Sequence, residues 1–410
     1  MEIRLKHDIW TEEKEIKFYL PDSWNISFLD MKGDKKHVLS ESKIRDAIYS
    51  FAPAIKEKLK YAREICVVFD DLSRPTRTYK IIPYLLELMD ESHIRDEQVR
   101  FLCGGGTHAA LGNNAFRKKL GEEVLERFPV YNHNPYENCE YLGKTKLGTP
   151  VMINKEYLVC DVRIGIGSFT PHAFCGYGGG YKIIMPALSH IDSIEYHHGV
   201  LLERYRESCF SLGKYKDNPL MEDIKESGKM VGLDVKIDCL VNTNAEITDL
   251  YAGRPDDLYD YMLNVAPVHY STPVPYKADI VFANSLSKAN EATISLSVAA
   301  SLIKDRGGIV VLLCDVPDGQ VVHYLFGRFG KAIWGRLPFG IRKNPDNIRH
   351  IFIYSRHRDI ANEFWFGMEK KIHWSKDLKE IIDYIEEEYK GKTPDVFILP
   401  DATIQNLENA

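Results

Sequence analysis

The sequence predicts an α/β protein of two domains, a larger N-terminal α/β domain and a smaller, Rossmann-like C-terminal one. Three observations carry this. The chain has 410 residues, against about 100–200 per domain in soluble proteins. Its composition, 44% hydrophobic and 27% charged, is that of an ordinary globular chain and excludes disordered, collagen-like and coiled-coil classes. Short apolar runs rich in β-branched residues alternate with stretches of helical period, as parallel sheets with crossover helices require.

Taken in order, Ile65–Phe69 reads as a buried strand that stops at Asp70-Asp71-Leu72-Ser73-Arg74-Pro75, with Ile81–Met89 the helix after it. Val99–Cys103 is a second strand and runs into Gly104-Gly105-Gly106-Thr107-His108. Tyr157–Ile166 is a third, ending in Gly165–Ser168 ahead of a glycine cluster at 176–180. Ligands of open α/β sheets sit outside the carboxyl ends of strands, so these three ends point to one shared crevice. Pro267 and Pro273-Val274-Pro275 mark a break, and a boundary near residue 270 divides the chain into 1–270 and 271–410. Beyond it Ile280–Ala283 reads as a strand, Ala292–Ile303 as a helix and Gly308–Leu313 as a strand. Ile351–Tyr354 and Val396–Leu399 are further strands around the helix Leu378–Glu388, whose acidic run 386–388 is a solvated face.

Fifty-three Lys+Arg against 59 Asp+Glu give a net charge of −6, so no nucleic-acid partner is expected. The opening Met1–His7 lacks an apolar signal core. No stretch reaches the ~18 apolar residues of a membrane span, so a cytoplasmic, membrane-free protein is expected. Eight cysteines without a CxxC pair fit reduced thiols rather than a disulfide framework.

The densest chemical signal is Pro171-His172-Ala173-Phe174-Cys175-Gly176-Tyr177-Gly178-Gly179-Gly180-Tyr181-Lys182. Glycines let a backbone turn sharply and present its N–H groups to an anion. Lys182 follows at once, as a phosphate partner or an amine nucleophile. The run is not a P-loop, since Ile183 stands where a magnesium-binding hydroxyl belongs. His108, His172 and the pair His197-His198 add groups that exchange protons near neutral pH or bind borderline metals. Asp71 and Arg74, three residues apart, suit a turn in which the arginine grips a carboxylate or phosphate. A local salt bridge is the plain alternative.

Together these segments resemble the nickel-dependent lactate racemase family, whose members carry a nickel-pincer nucleotide. The resemblance rests on Asp71-Leu72-Ser73-Arg74-Pro75, Gly106-Thr107-His108, Pro171-His172 and Gly178-Gly179-Gly180-Tyr181-Lys182, completed by Pro186 and His198. It implies a racemase or epimerase that inverts C2 of a small-molecule 2-hydroxy acid. It further implies nickel and a pyridinium mononucleotide tethered at Lys182, with His198 as the protein's nickel ligand and Gly178, Gly179 and Gly180 cradling the nucleotide. His108 and His172 would be the acid/base pair, and Arg74 would hold the substrate carboxylate with Asp71 beside it. Asp71 and Ser73 would also bind the cofactor, and cofactor-synthesis and nickel-insertion proteins would load the site, which lies in the cleft between domains.

The chain departs from the family pattern in places. Ser73 replaces a threonine, Ala109 an arginine, and His133-Asn134 a histidine–aspartate pair, while His197 stands where an asparagine is usual. The family's pocket glutamine and lysine align with Thr293 and Leu296, expected on one helical face, so lactate is not the expected preferred substrate. Two other readings keep the scaffold: dehydration or redox chemistry on a larger hydroxy acid, and a non-catalytic nucleotide- or metal-binding protein.

Overall fold

Two six-stranded sheets organise the chain, whose computed structural model describes residues 1–10, 14–328, 330–337 and 341–408. The first sheet runs Ile247–Gly253, Val235–Val241, Val162–Ser168, Ile65–Phe69, Val99–Cys103, Val130–Asn132 across its width. Its first two strands pair antiparallel and the other neighbours parallel. Ile65–Phe69 is buried at every position, which is why Ile-Cys-Val-Val-Phe shows no alternation. Chain order reverses beside it, with Val99–Cys103 on one side and Val162–Ser168 on the other. A reversal of this kind opens a crevice at the carboxyl ends of the two strands.

The second sheet is parallel throughout, in the order Ile372–Ser375, Ile348–Tyr354, Gly308–Leu313, Ile280–Asn284, Asp395–Leu399, Asn25–Phe28. Its last strand comes from the start of the chain, and Asn25 Nδ2 donates to Asp395 Oδ1 at 2.7 Å. The hairpin Glu2–His7/Lys14–Tyr19 packs Ile3, Leu5 and Phe18 on the same sheet. A division at residue 270 therefore leaves the N-terminal segment associated with the second sheet. One hydrophobic core surrounds the first sheet, and two lie on opposite faces of the second.

Most expected strands fall within a few residues of their observed bounds, with one shift. Tyr157 lies in a helical turn, Lys155–Leu158, and the strand begins only at Val162. Asn154 causes this, its side chain accepting from Glu156 N as an N-cap. The helix expected at Ala292–Ile303 spans Thr293–Ser301. The eight cysteines are free, seven of them buried. Among the described residues no helix is long and apolar enough to cross a membrane.

The turn after the glycine cluster is set by packing. Gly180 has φ +54°, and a Cβ there would stand 2.5 Å from Tyr259 Cδ2. Both strain and overlap oppose a side chain at this position. Gly180→Ala should therefore destabilise the protein by about 1–3 kcal/mol, read as a lower urea midpoint with an unchanged slope. An unmoved midpoint would show that the turn relaxes freely.

Candidate active site

A cavity of about 890 Å³ opens at the switch point of the first sheet and reaches the helix Thr293–Ser301. Its floor is made by the three strand ends named from the sequence: Asp70 and Asp71, Gly104 to His108, and Gly167 and Ser168. Ser73, Arg74, His172, Gly178, Gly179, Lys182, His198 and Thr293 line it as well. Gly180 and Leu296, also expected there, do not.

Asp71 shapes the first wall. Its Oδ1 accepts from Ser73 N at 2.9 Å, and its Oδ2 lies 2.6 Å from His108 Nδ1. An ionised carboxylate only accepts, so His108 carries its proton on Nδ1 and turns Nε2 to the cavity, 3.9 Å from Glu291 Oε1. Burial works against charge on His108, but Asp71 and then Glu291 outweigh it and raise the imidazole above its ordinary value. Burial pushes Asp71 up too, yet His108, Arg74 and Ser73 hold it well below the usual carboxylate range. The turn itself is anchored by Lys119, wholly buried on the helix Asn113–Leu120. Its Nζ donates to the carbonyls of Asp71 and Arg74 at 3.0 Å each and pairs with Asp70 Oδ1 at 2.6 Å. Arg74 reaches across the cavity, donating from Nη1 to Glu291 Oε2 at 2.6 Å. The guanidinium expected to be open to a ligand is thus already ion-paired.

His172 stands in a different environment. Its Nδ1 accepts from Phe174 N at 3.1 Å and Cys175 N at 3.4 Å, which places the proton of the neutral ring on Nε2. Burial, with Lys182, Arg74 and Lys288 nearby, pushes it well below an ordinary histidine. The two histidines are therefore shifted in opposite directions, the arrangement that separates an acid from a base.

A π-helical turn, Tyr196–Leu201, carries the histidine pair, and its wide winding leaves both side chains buried. His197 Nε2 lies 2.9 Å from Leu220 O, a pure acceptor, so that nitrogen holds the proton. Its Nδ1 then accepts from His198 Nδ1 at 3.0 Å, and His198 is left with a free lone pair on Nε2. Of the two, His198 is the one that lines the cavity. Burial, followed by His197 and Lys182, keeps it neutral. Lys182 is lowered by burial, and the one hydrogen-bond contact of its side chain among the described residues is a long one, Cys175 Sγ at 3.8 Å.

The glycine run does not offer the expected row of open amides. Gly178 N donates to Thr170 O at 2.7 Å and Gly180 N to Asp238 Oδ2 at 2.9 Å. Gly180 lies behind the wall, against Tyr259, and Asp238 is held in turn by the buried Lys236 at 2.6 Å. Leu296 is a second correction: it is fully buried in the core of the second sheet. At about 100° per residue, Thr293, Ile294, Ser297, Val298 and Ser301 share the cavity face. Leu296 turns with Ala292, Ser295 and Ala299 to the opposite side. Thr293 lies at the edge of the cavity face, so a spacing of three carries the next residue off it.

Sequence reasoning did not single out Glu291, His323 or Arg342, which also line the cavity. Each comes from irregular chain or a helix lead-in, where no period marks it. His323 meets Thr107 Oγ1 at 3.2 Å, its ring edge-to-face with His108. Lys288 is fully buried and donates to Pro171 O at 2.8 Å; burial and then Arg74 pull it down to about 7.

Residues 11–209 match the lactate racemase N-terminal domain family. The lactate racemase of Thermoanaerobacterium thermosaccharolyticum is 24% identical over 307 residues, 72% of this chain and 68% of that protein. That of Lactiplantibacillus plantarum is 21% identical over 272 residues, 65% of this chain and 63% of the relative, so this match spans under two thirds of it. Among solved structures, the lactate racemase apoprotein from T. thermosaccharolyticum superposes with a TM-score of 0.74 at 17% identity, covering 100% of both chains. A protein from Thermotoga maritima gives 0.66 at 14% identity, over 91% of this chain and 100% of that one. Both superpositions establish a shared fold.

The dyad yields a direct expectation. Asp71→Asn removes the charge that favours the His108 imidazolium, so the imidazole should titrate at lower pH than in the parent. NMR titration of the His108 ring protons measures this. An unchanged midpoint would mean that Glu291 alone sets the value.

Proposed function

From a chain whose residues 11–209 match the lactate racemase N-terminal domain family, we propose a cytoplasmic racemase or epimerase. It inverts C2 of a 2-hydroxy acid with a nickel-pincer nucleotide. The observation that carries this is the meeting in one cavity of two nitrogens, Lys182 Nζ and His198 Nε2, with the Asp71–His108 dyad.

The residues fit such a group. Among the described residues no three His, Cys, Asp or Glu side chains gather to hold a metal ion, so a metal beside His198 must bring its other donors with it. His198 supplies one neutral imidazole, and Lys182 an amine whose neutral form burial favours, as an amide-type tether requires. Ser168 Oγ, buried at the cavity floor and without a hydrogen-bond partner, is a further polar atom for a ligand to satisfy. When bound, the group supplies a hydride acceptor for the α-hydrogen of the substrate.

The chain's own residues do the rest. His108 takes the hydroxyl proton at Nε2 while Asp71 keeps the Nδ1 proton in place. His172 offers Nε2–H from its own wall. To act as a second base it must move its proton to Nδ1 and give up the Phe174 and Cys175 N–H bonds, a cost His108 does not face. The substrate carboxylate competes with Glu291 for Arg74, and Lys288 is the second cation beside it. We read the two sheets as two domains, 1–270 and 271–410, with the N-terminal segment lent to the second, Rossmann-like one. Cofactor-synthesis and nickel-insertion proteins are the partners that load the site.

The test is protein produced with and without those loading proteins. Peptide mass mapping should find the adduct on Lys182; an adduct on another lysine would sink the assignment. His198→Ala should lose nickel, whereas His197→Ala should keep it and fold less stably, because Leu220 O loses its donor. His108→Ala and His172→Ala should each retain nickel and lose ~10²–10⁴-fold in rate of C2 inversion, followed by proton NMR. A base with a raised value works only once deprotonated, so the acid limb of kcat/KM should move to lower pH in Asp71→Asn.

A further inference from the structure

The far wall of the cavity carries a positive charge with no counter-ion among the described residues. Arg342 reaches the first turn of the helix Thr293–Ser301. Its Nη1 donates to Thr293 Oγ1 at 3.0 Å and Ser297 Oγ at 2.9 Å, and its Nε to Asn344 Oδ1 at 2.8 Å. All these acceptors are neutral. Among the described residues no carboxylate pairs with the guanidinium, and no hydrogen bond engages Nη2. Glu369, the acid nearest in its field, is turned to Asn344, accepting from its backbone N at 2.7 Å. Charged groups out of water are normally paired, so a half-buried guanidinium facing a cavity calls for an anion.

A second donor lies on the same wall. Trp365 Nε1 is buried with no partner, and Trp365 O accepts from Thr293 Oγ1 at 2.9 Å, which ties the indole residue to the arginine's own anchor. Ile294 and Phe364 supply apolar lining nearby. The path to the reacting groups is short. Glu291 Oε1 stands 3.9 Å from His108 Nε2, and Thr293 follows two residues later, about 3 Å of helical rise.

We infer that Arg342 and Trp365 form a second anion subsite and that the substrate is a 2-hydroxy acid bearing a terminal carboxylate. The inference deepens the racemase reading and rests on it for the hydroxy-acid end. The near carboxylate lies toward Arg74 and Lys288, the methylenes pass Ile294 and Phe364, and the terminal carboxylate takes Nη2 of Arg342 and the indole N–H. A planar guanidinium suits that two-point grip. Thr293 holds the arginine rather than the substrate.

Calorimetric titration of the full chain, as purified and after cofactor loading, tests this with 2-hydroxyglutarate and its uncharged 5-amide. The diacid should bind about ten- to a hundredfold more tightly than the amide, the span of one charged hydrogen bond. Arg342→Met should erase that ratio and Arg342→Lys retain part of it, which separates lost charge from misfolding. Equal affinities, no binding of either compound, or a ratio that survives in Arg342→Met would overturn the subsite. Proton NMR at C2 of the loaded protein keeps the two readings apart. A diacid preference without inversion would sink the racemase reading and keep the subsite. Inversion of the diacid and the amide at equal kcat/KM would do the reverse.

Discussion

Lys119 has no water to turn to, and its ammonium draws Asp70 and the carbonyls of Asp71 and Arg74 around itself. That contact decides where the turn after Ile65–Phe69 runs, and through it where Asp71 meets His108. The same rule acts next door, where buried Lys236 holds Asp238 and Asp238 holds the amide of Gly180. A buried charge left without its partner costs about 3–5 kcal/mol, so neither pair can open cheaply. The Asp71–Arg74 turn and the glycine turn are therefore fixed before any ligand arrives. Such preorganisation is what gives electrostatic groups their leverage in a site closed to water.

The cavity is completed by residues far along the chain. Glu291 ion-pairs with Arg74, Lys288 donates to Pro171 O, and His323 bridges backbone to backbone with His108. Three contacts thus tie the loops before and within the second sheet to the carboxyl ends of the first. Glu291 has a double effect. It neutralises Arg74, so a small monoacid meets a cation already engaged, and it adds to the field that raises His108. The cation that meets no carboxylate among the described residues is Arg342, on the far wall. The polar character of the cavity changes along its length, and that gradient orients a ligand with a charge at each end.

Much of this was legible in the sequence. Strands such as Ile65–Phe69 and Gly308–Leu313 announce themselves because a strand buried on both faces needs an unbroken apolar run. Asp71, Arg74, His108, His172, Lys182 and His198 were legible because they sit at strand ends or beside glycines, where polar side chains interrupt an apolar pattern. The tertiary structure alone decided which groups face one another. A chain pattern gives a residue's place along the backbone, whereas a proton's place depends on what lies across a gap. The tautomer of His197, and with it the choice of His198, follows from Leu220 O some twenty residues away. Leu296 left the cavity because a helix rotates about 100° per residue and its entry angle is set by packing on the second sheet. Gly180 turned out to serve Tyr259 and Asp238, since only the fold brings those two against it. Glu291 and Arg342 lie where no period is written, and their roles arise from the charge each one finds, or fails to find, across the cavity.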